Sequence, residues 1–136
     1  MGQVTDRATV RRWLAHYEAA WRAPGTDRLA ELFTHDAIYL QSPYEQPVTG
    51  LDAIQRMWEK ERAGPDEVFT LATQIIAVDG PTAVVRAEVS YAGPPRQDYR
   101  DLWVIRLADD GSCRWFEEWP YWPGRGYSVR DESDRR

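Results

Sequence analysis

The hydrophobic periodicity of this 136-residue chain is mainly helical before Glu67 and strand-like after it. Before that point, apart from one short strand, apolar residues recur every three or four positions, which is the spacing of one helix face. After it come runs rich in β-branched and aromatic side chains, which are typical of strands. Helices followed by consecutive strands indicate an α+β fold. The pattern therefore predicts three N-terminal helices packed on an antiparallel sheet.

Two of the predicted helices precede the first strand. The first helix follows Thr5 and Asp6, both of which can cap a helix N-terminus. Its apolar face consists of Val10, Trp13, Leu14, Tyr17 and Trp21. A short second helix follows, for which Thr26 or Asp27 is the candidate cap.

The rest of the chain predicts one more helix and five strands. A turn over residues 34–36 leads into a first strand over residues 37–42. The third and last helix covers residues 51–61, and Gly64-Pro65 halts it. The remaining strands are expected over residues 68–78, 83–91, 97–107 and 113–119, joined by short turns.

Length and composition limit the domain organisation and the classes of partner. One compact domain over residues 1–127 is expected, followed by a charged tail over residues 128–136 that we expect to be disordered. The net charge of -5 argues against a nucleic-acid partner, since phosphate binding needs a clustered basic face. No apolar run reaches membrane-spanning length, and the N-terminus lacks the pattern of a signal peptide. We therefore expect a cytoplasmic protein without a membrane partner.

Two acidic residues stand out on the predicted late strands. Alternation along residues 97–107 places Asp101 on the apolar face that contains Trp103 and Ile105. On the last strand, alternation alone does not decide whether Glu117 or Glu118 shares that face. A carboxylate among apolar side chains is costly unless it is paired or protonated, so these residues indicate a functional pocket.

Several sequence segments together resemble a known family, the SnoaL-like branch of the nuclear transport factor two superfamily. They are the first helix with Tyr17 and Trp21, and residues 32–37, 48–54, 101–107, 110–111 and 117–119. The resemblance implies a cone-shaped domain, in which three helices pack on a strongly curved antiparallel sheet around an internal pocket. It also implies a homodimer formed through the outer sheet face, where Leu102, Val104, Trp115 and Trp119 are the candidate contacts. The fold hosts several chemistries, so it predicts a pocket rather than one reaction.

The enzymes of this superfamily match the sequence only in part. Ketosteroid isomerases use a first-helix tyrosine and two aspartates, and here Tyr17 matches while Ser42 and Trp103 stand at the aspartate positions. Epoxide hydrolases use two inward aspartates bridged by an arginine. By resemblance Asp101 and Glu118 fall near those two positions, which favours Glu118 over Glu117, although no arginine has the required position. Dehydratases use a histidine and aspartate set that the two histidines of this chain do not match.

The resulting hypothesis is a cofactor-free acid/base catalyst of the isomerase, cyclase, dehydratase or epoxide-hydrolase type, acting on a small hydrophobic metabolite. Asp101 and Glu118 are the ionisable pair and Tyr17 is a hydrogen-bond donor. The expected pocket walls are Trp13, Trp21, Tyr39, Trp58, Trp103 and Phe116. The sequence shows no metal-ligand spacing and no nucleotide-binding glycine loop, so neither a metal nor a cofactor is expected. The alternative is a non-catalytic small-molecule-binding or dimerisation domain.

Overall fold

The computed structural model describes residues 5–61 and 68–124. It has three helices and one six-stranded sheet, in the strand order β2-β1-β6-β5-β4-β3. The helices are α1 (Arg7–Arg22), α2 (Leu29–Leu32) and α3 (Leu51–Glu61). The strands are β1 (Phe33–Leu40), β2 (Val48–Thr49), β3 (Phe69–Asp79), β4 (Thr82–Tyr91), β5 (Gln97–Leu107) and β6 (Cys113–Tyr121). The predicted α+β class and the three helices are confirmed.

The sheet is mixed and not strongly curled, which corrects the expectation of a strongly curved, wholly antiparallel sheet. Strands β3 to β6 form an antiparallel meander, but β1 runs parallel to β6. After β2 and α3 the chain continues into β3 at the far edge of the sheet, and the meander from there brings β6 beside β1 in the same direction. Tyr39 of β1 consequently lies beside Phe116 of β6.

Asp6, one of the two residues predicted to cap α1, is its N-cap. Its carboxylate accepts a hydrogen bond of 2.8 Å from the Thr9 backbone N–H, which satisfies an otherwise unpaired group in the first helical turn. The helix ends at Ala23, which is extended and precedes a proline. The apolar face of α1 is buried at Val10, Trp13, Leu14, Tyr17 and Ala20.

Two local expectations in the segment before β1 are wrong. Neither Thr26 nor Asp27 caps α2, which begins after Arg28 without a side-chain cap. The Thr26 hydroxyl instead donates to Glu59 of α3 over 3.2 Å, so a contact between helices takes the place of a local cap. The predicted turn at residues 34–36 is part of β1, because pairing with β6 extends that strand back to Phe33.

A bulge in β6 changes which of its side chains face the core. Arg106 pairs with Trp115, but the next residue of β5, Leu107, pairs with Cys113, so Arg114 is the extra residue. Cys113 and Phe116 are therefore both fully buried, although they are three positions apart. Simple alternation along the sequence does not predict this arrangement.

The inner face of the sheet is the side that packs on the helices, and it carries Asp101, Trp103 and Ile105 of β5. The inward orientation predicted for this strand is confirmed. In the described residues no helix is long and apolar enough to cross a membrane. Gly64-Pro65 and the predicted tail at residues 128–136 lie outside the described residues.

Candidate active site

A pocket of about 510 Å³ lies between α1, α3 and the inner face of the sheet. Its inner end is formed by polar groups on α1, β1, β5 and β6, and its walls are mostly aromatic. The lining residues are Tyr17, Trp21, Tyr39, Gln41, Met57, Trp58, Glu61, Val89, Tyr91, Gln97, Tyr99, Asp101, Glu118 and Pro120. The volume is in the range typical of small-molecule sites.

Asp101 lies at the inner end of this pocket and is only 6% exposed. Its Oδ2 accepts a hydrogen bond of 3.2 Å from the Trp103 indole N–H, two residues along the same face of β5. Its Oδ1 accepts no hydrogen bond from any group within the described ranges 5–61 and 68–124. A buried carboxylate oxygen needs a hydrogen-bond donor, so a neighbouring side chain that carries a proton is required.

Glu118 is that neighbouring group. On the adjacent strand it lies opposite Trp103 and diagonal to Asp101, which itself lies opposite Pro120. Diagonal partners on one face of a sheet are within reach of long side chains. The interaction with Glu118 lowers the pKa of Asp101 against the larger effect of burial, and a protonated Glu118 would bring a donor close to Asp101.

Glu117 is on the opposite, outer face of the sheet. Its carboxylate accepts hydrogen bonds from the indole N–H groups of Trp115, over 2.9 Å, and of Trp119. Trp115 and Trp119 share the strand face of Glu117 and make that face apolar in the sequence. In the structure both tryptophans lie outside the core, where they bind Glu117. The structure places Glu118, and not Glu117, at the pocket.

Two buried tyrosines connect α1 and β1 to Glu118. The Tyr39 hydroxyl donates to Glu118 Oε1 over 3.3 Å, and the hydroxyls of Tyr17 and Tyr39 are 2.9 Å apart. Each phenol has a single proton, so Tyr17 donates to Tyr39 when Tyr39 donates to Glu118. The hydrogen bonds therefore run in one direction, from Tyr17 through Tyr39 to Glu118.

Burial gives both carboxyl groups an unusual affinity for protons. Desolvation, followed by the hydrogen bond to Asp101 and the charge of that residue, holds the pKa of Glu118 well above its ordinary value. Desolvation also raises the pKa of Asp101, while the hydrogen bonds from Glu118 and Trp103 act in the opposite direction. The favoured state of the pair therefore has a protonated Glu118 and an ionised Asp101.

The tyrosine hydroxyls stay neutral over the physiological range. Desolvation raises the pKa of Tyr17 and of Tyr39 well above the ordinary value, and the nearby Glu118 adds to both shifts. Neither phenol can act as a base in this environment. The proton of Tyr17 is directed at Tyr39, so Tyr17 supports the carboxyl pair and is not positioned as a free donor to a ligand.

The structure divides the predicted pocket residues into two groups. Trp21, Tyr39 and Trp58 line the pocket, together with Tyr17, Asp101 and Glu118. Trp13, Trp103 and Phe116 belong instead to the buried core, which corrects their assignment as pocket walls. Trp13 is held there by its indole N–H, which donates to the Leu32 carbonyl over 3.0 Å. Phe116 packs between the rings of Tyr17 and Tyr39, at centroid distances of 5.2 and 4.7 Å.

Sequence reasoning missed the outer part of the pocket. Its additional lining residues are Gln41, Met57, Glu61, Val89, Tyr91, Gln97, Tyr99 and Pro120. For two of the strand residues the sequence contained a signal, because alternation places Val89 and Tyr99 on the inner faces of their strands. For Met57 and Glu61 the position depends on how α3 packs, which no local pattern shows.

Metal and histidine chemistry have little support in the described parts of the chain. Within residues 5–61 and 68–124, no group of three His, Cys, Asp or Glu side chains could hold a metal ion. Both histidines, His16 and His35, are exposed. Cys113 is buried in the core, where desolvation raises its thiol pKa far above the ordinary value. The carboxyl pair is thus the ionisable centre of the pocket.

Comparison with known proteins places this geometry in a family. Among curated proteins, none matches the sequence. A candidate SnoaL-like polyketide cyclase from Jannaschia sp. CCS1 is similar in structure, with a TM-score of 0.69 and 19% identity over 88% of this chain and 91% of that one. A candidate polyketide cyclase from Sinorhizobium meliloti matches with a TM-score of 0.62 and 25% identity, over 81% of this chain and 97% of that one.

A third similar structure is SalBIII, an epoxide hydrolase/cyclase-like enzyme with a role in pyran ring formation in polyether salinomycin. It has a TM-score of 0.68 and 17% identity, over 88% of this chain and 94% of that one. At such identities the likeness shows a shared fold. The family model of the SnoaL-like domain matches residues 2–117, which is most of the sequence. The chain therefore belongs to the SnoaL-like domain family.

Proposed function

We propose that this protein is a cofactor-independent acid/base catalyst that acts on a small, hydrophobic, ring-containing metabolite. Asp101 is the base and Glu118 is the acid. One observation carries the proposal: the buried Asp101 and the half-buried Glu118 lie diagonally on one face of the sheet and line the same aromatic pocket. Catalytic acids and bases need separated proton affinities.

The pair can complete a reaction without a net change in its protons. Asp101 accepts a proton from a substrate carbon or from an attacking water, while Glu118 donates its proton to a substrate oxygen. Asp101 is then protonated and Glu118 is ionised. The hydrogen bond between them returns the proton to Glu118 and restores the starting state. The same cycle fits isomerisation, dehydration, cyclisation or the addition of water to an epoxide.

The two tyrosines influence Glu118, the proposed acid. The hydrogen bond from Tyr39 lowers the pKa of Glu118 against the larger effect of burial. Tyr17 orients Tyr39 and does not contact the reacting atoms in this proposal, which makes it a positioning residue. Trp103 similarly holds Asp101 through its indole N–H.

Two simple ring compounds test the proposal directly. Cyclohexene oxide reports the addition of water, and cyclohex-3-en-1-one reports isomerisation to its conjugated isomer. We expect turnover of at least one, and a fall of about 100-fold or more in kcat/KM for Asp101→Asn and for Glu118→Gln. Glu117→Gln is the matched control, since it changes the neighbouring carboxylate on the outer face, and it should retain activity.

Two outcomes would overturn the proposal. One is turnover that survives Asp101→Asn unchanged. The other is binding of both compounds by the wild type without any turnover, which would favour the non-catalytic binding domain.

We further propose a homodimer formed through the outer face of the sheet. Leu102 and Trp119 support the dimer, because they are directly paired across β5 and β6 and are 43% and 41% exposed. Val104 and Trp115 lie on the same face and are partly buried. Paired apolar side chains on an open sheet face are typical of interfaces.

A further inference from the structure

We propose that the ligand of this pocket is a cation, a small cyclic amine or quaternary ammonium whose positive charge lies at the inner end against Asp101 and Glu118. This inference rests on the proposed function for the site itself, and it adds the chemical class of the ligand. Three features of the described residues support it: the charges, the direction of the hydrogen bonds and the arrangement of the aromatic rings.

The charges of the pocket are of one sign. Glu61, Asp101 and Glu118 line it, and among its lining residues within the described ranges there is no arginine, lysine or histidine. When one proton is shared, the inner pair still carries a negative charge. Asp101 Oδ1 is buried and accepts no hydrogen bond from the described residues, so a cationic ligand would supply the missing partner.

The hydrogen bonds of the inner end all point toward the carboxyl pair. The proton of Tyr17 is directed at Tyr39, that of Tyr39 at Glu118, and that of Trp103 at Asp101. The donors of this network are thus engaged, while lone pairs of the oxygen atoms remain available. At the inner end, a ligand oxyanion would have to break one of these bonds or take the Glu118 proton. A ligand cation needs no such change.

The aromatic rings of the pocket surround the site in several orientations. Tyr17 is in edge contact with Trp21 at 6.0 Å and with Trp58 at 5.5 Å, at interplanar angles of 68° and 79°. Tyr91 and Tyr99 meet at 90° toward the outer part. Rings set at large angles present faces as well as edges to one cavity. The faces attract a positive charge, most strongly where water is excluded.

A set of three shape-matched probes isolates the ligand charge. Phenyltrimethylammonium is the cation, tert-butylbenzene is its neutral carbon isostere, and benzenesulfonate is an anion with a similar tetrahedral group. Binding to the wild-type protein can be followed by the fluorescence of its seven tryptophans. We expect the cation to bind at least about tenfold more tightly than tert-butylbenzene, and benzenesulfonate to bind more weakly than both.

A variant pair then assigns the preference to the carboxyl pair. Asp101→Asn should bring the affinities of cation and neutral isostere close together, whereas Glu117→Gln should leave their ratio unchanged. The wild-type series needs no substitution, so it decides the question even if Asp101→Asn folds poorly. Equal binding of cation and isostere, or benzenesulfonate binding as tight as the cation, would overturn the inference.

The failure of this inference is distinguishable from failure of the proposed catalysis. Turnover that depends on Asp101, together with no charge preference, would leave the catalytic proposal standing and remove this one. A clear preference for the cation, without turnover of the ring compounds, would do the reverse.

Discussion

Removal of the Tyr39 hydroxyl should destabilise the protein more than removal of the Tyr17 hydroxyl. Tyr39 accepts a buried hydrogen bond from Tyr17 and donates a partly buried one to Glu118. Tyr39→Phe therefore removes both and leaves the Tyr17 proton without its acceptor. Tyr17→Phe removes one bond, and Tyr39 still donates to Glu118.

The expected sizes follow from these contacts. Both substitutions keep the ring, including its stacking on Phe116, so no cavity forms. A buried neutral hydrogen bond contributes about 1 kcal/mol, and an unsatisfied buried donor costs about 1–3 kcal/mol. Tyr39→Phe should thus lower the free energy of unfolding by about 2–3 kcal/mol, and Tyr17→Phe by about 1 kcal/mol.

Urea unfolding followed by tryptophan fluorescence measures both changes. Tyr44→Phe is the control, because that ring is 98% exposed and its hydroxyl should contribute little. The double variant should lose less than the sum of the single losses, since both remove the Tyr17 to Tyr39 bond. A larger loss for Tyr17→Phe than for Tyr39→Phe would refute the direction assigned to the hydrogen-bond chain.

Two other predictions concern pH dependence and assembly. Wild-type stability should fall relative to Glu118→Gln as pH rises above the ordinary glutamate pKa of 4.5, because the unfolded state releases the Glu118 proton before the folded state does. The difference in free energy of unfolding between the two proteins should change by up to about 1.4 kcal/mol per pH unit. Plots of the free energy of unfolding against pH that run parallel for the two proteins from pH 4 to pH 8 would contradict this prediction. In sedimentation velocity, Leu102→Glu should convert a dimer to a monomer. Val68→Glu changes another exposed residue and should leave the dimer intact. A Leu102→Glu protein that sediments like the wild type would refute this interface.

The sequence predicted strand β5 well because its signals agree with one another. Residues 97–107 alternate without interruption, and the observed strand has the same bounds. Its inner residues, including Asp101 and Trp103, follow directly from that alternation. Local periodicity was sufficient here because the extra residue of the bulge lies in β6, while β5 keeps a regular register with β4.

Strand β6 shows where this reasoning fails. The bulge at Arg114 breaks the alternation, so Cys113 and Phe116 face the same side. The indoles of Trp115 and Trp119 lie outside because each bonds to Glu117, a contact that apolarity alone cannot reveal. A bulge is set by pairing with neighbouring strands, which is a tertiary effect.

Depth inside the fold is a second property that the sequence does not encode locally. Trp13 and Trp21 share one face of α1, but Trp13 packs in the core while Trp21 lines the pocket. Helical spacing gives the face of a residue and not its distance from the cavity. The long-range contact of Tyr39 with Glu118, 79 residues apart, likewise follows only from the pairing of β1 with β6.

The most direct test of the carboxyl pair is its titration by carboxyl-carbon NMR in the wild type and in Asp101→Asn. We expect Glu118 to titrate well above the ordinary glutamate range in the wild type. In Asp101→Asn its pKa should fall, because the charge and the hydrogen bond of Asp101 are lost, but burial should keep it raised. Ordinary titrations of both residues, or a Glu118 pKa that Asp101→Asn leaves unchanged, would contradict the coupled pair on which the account depends.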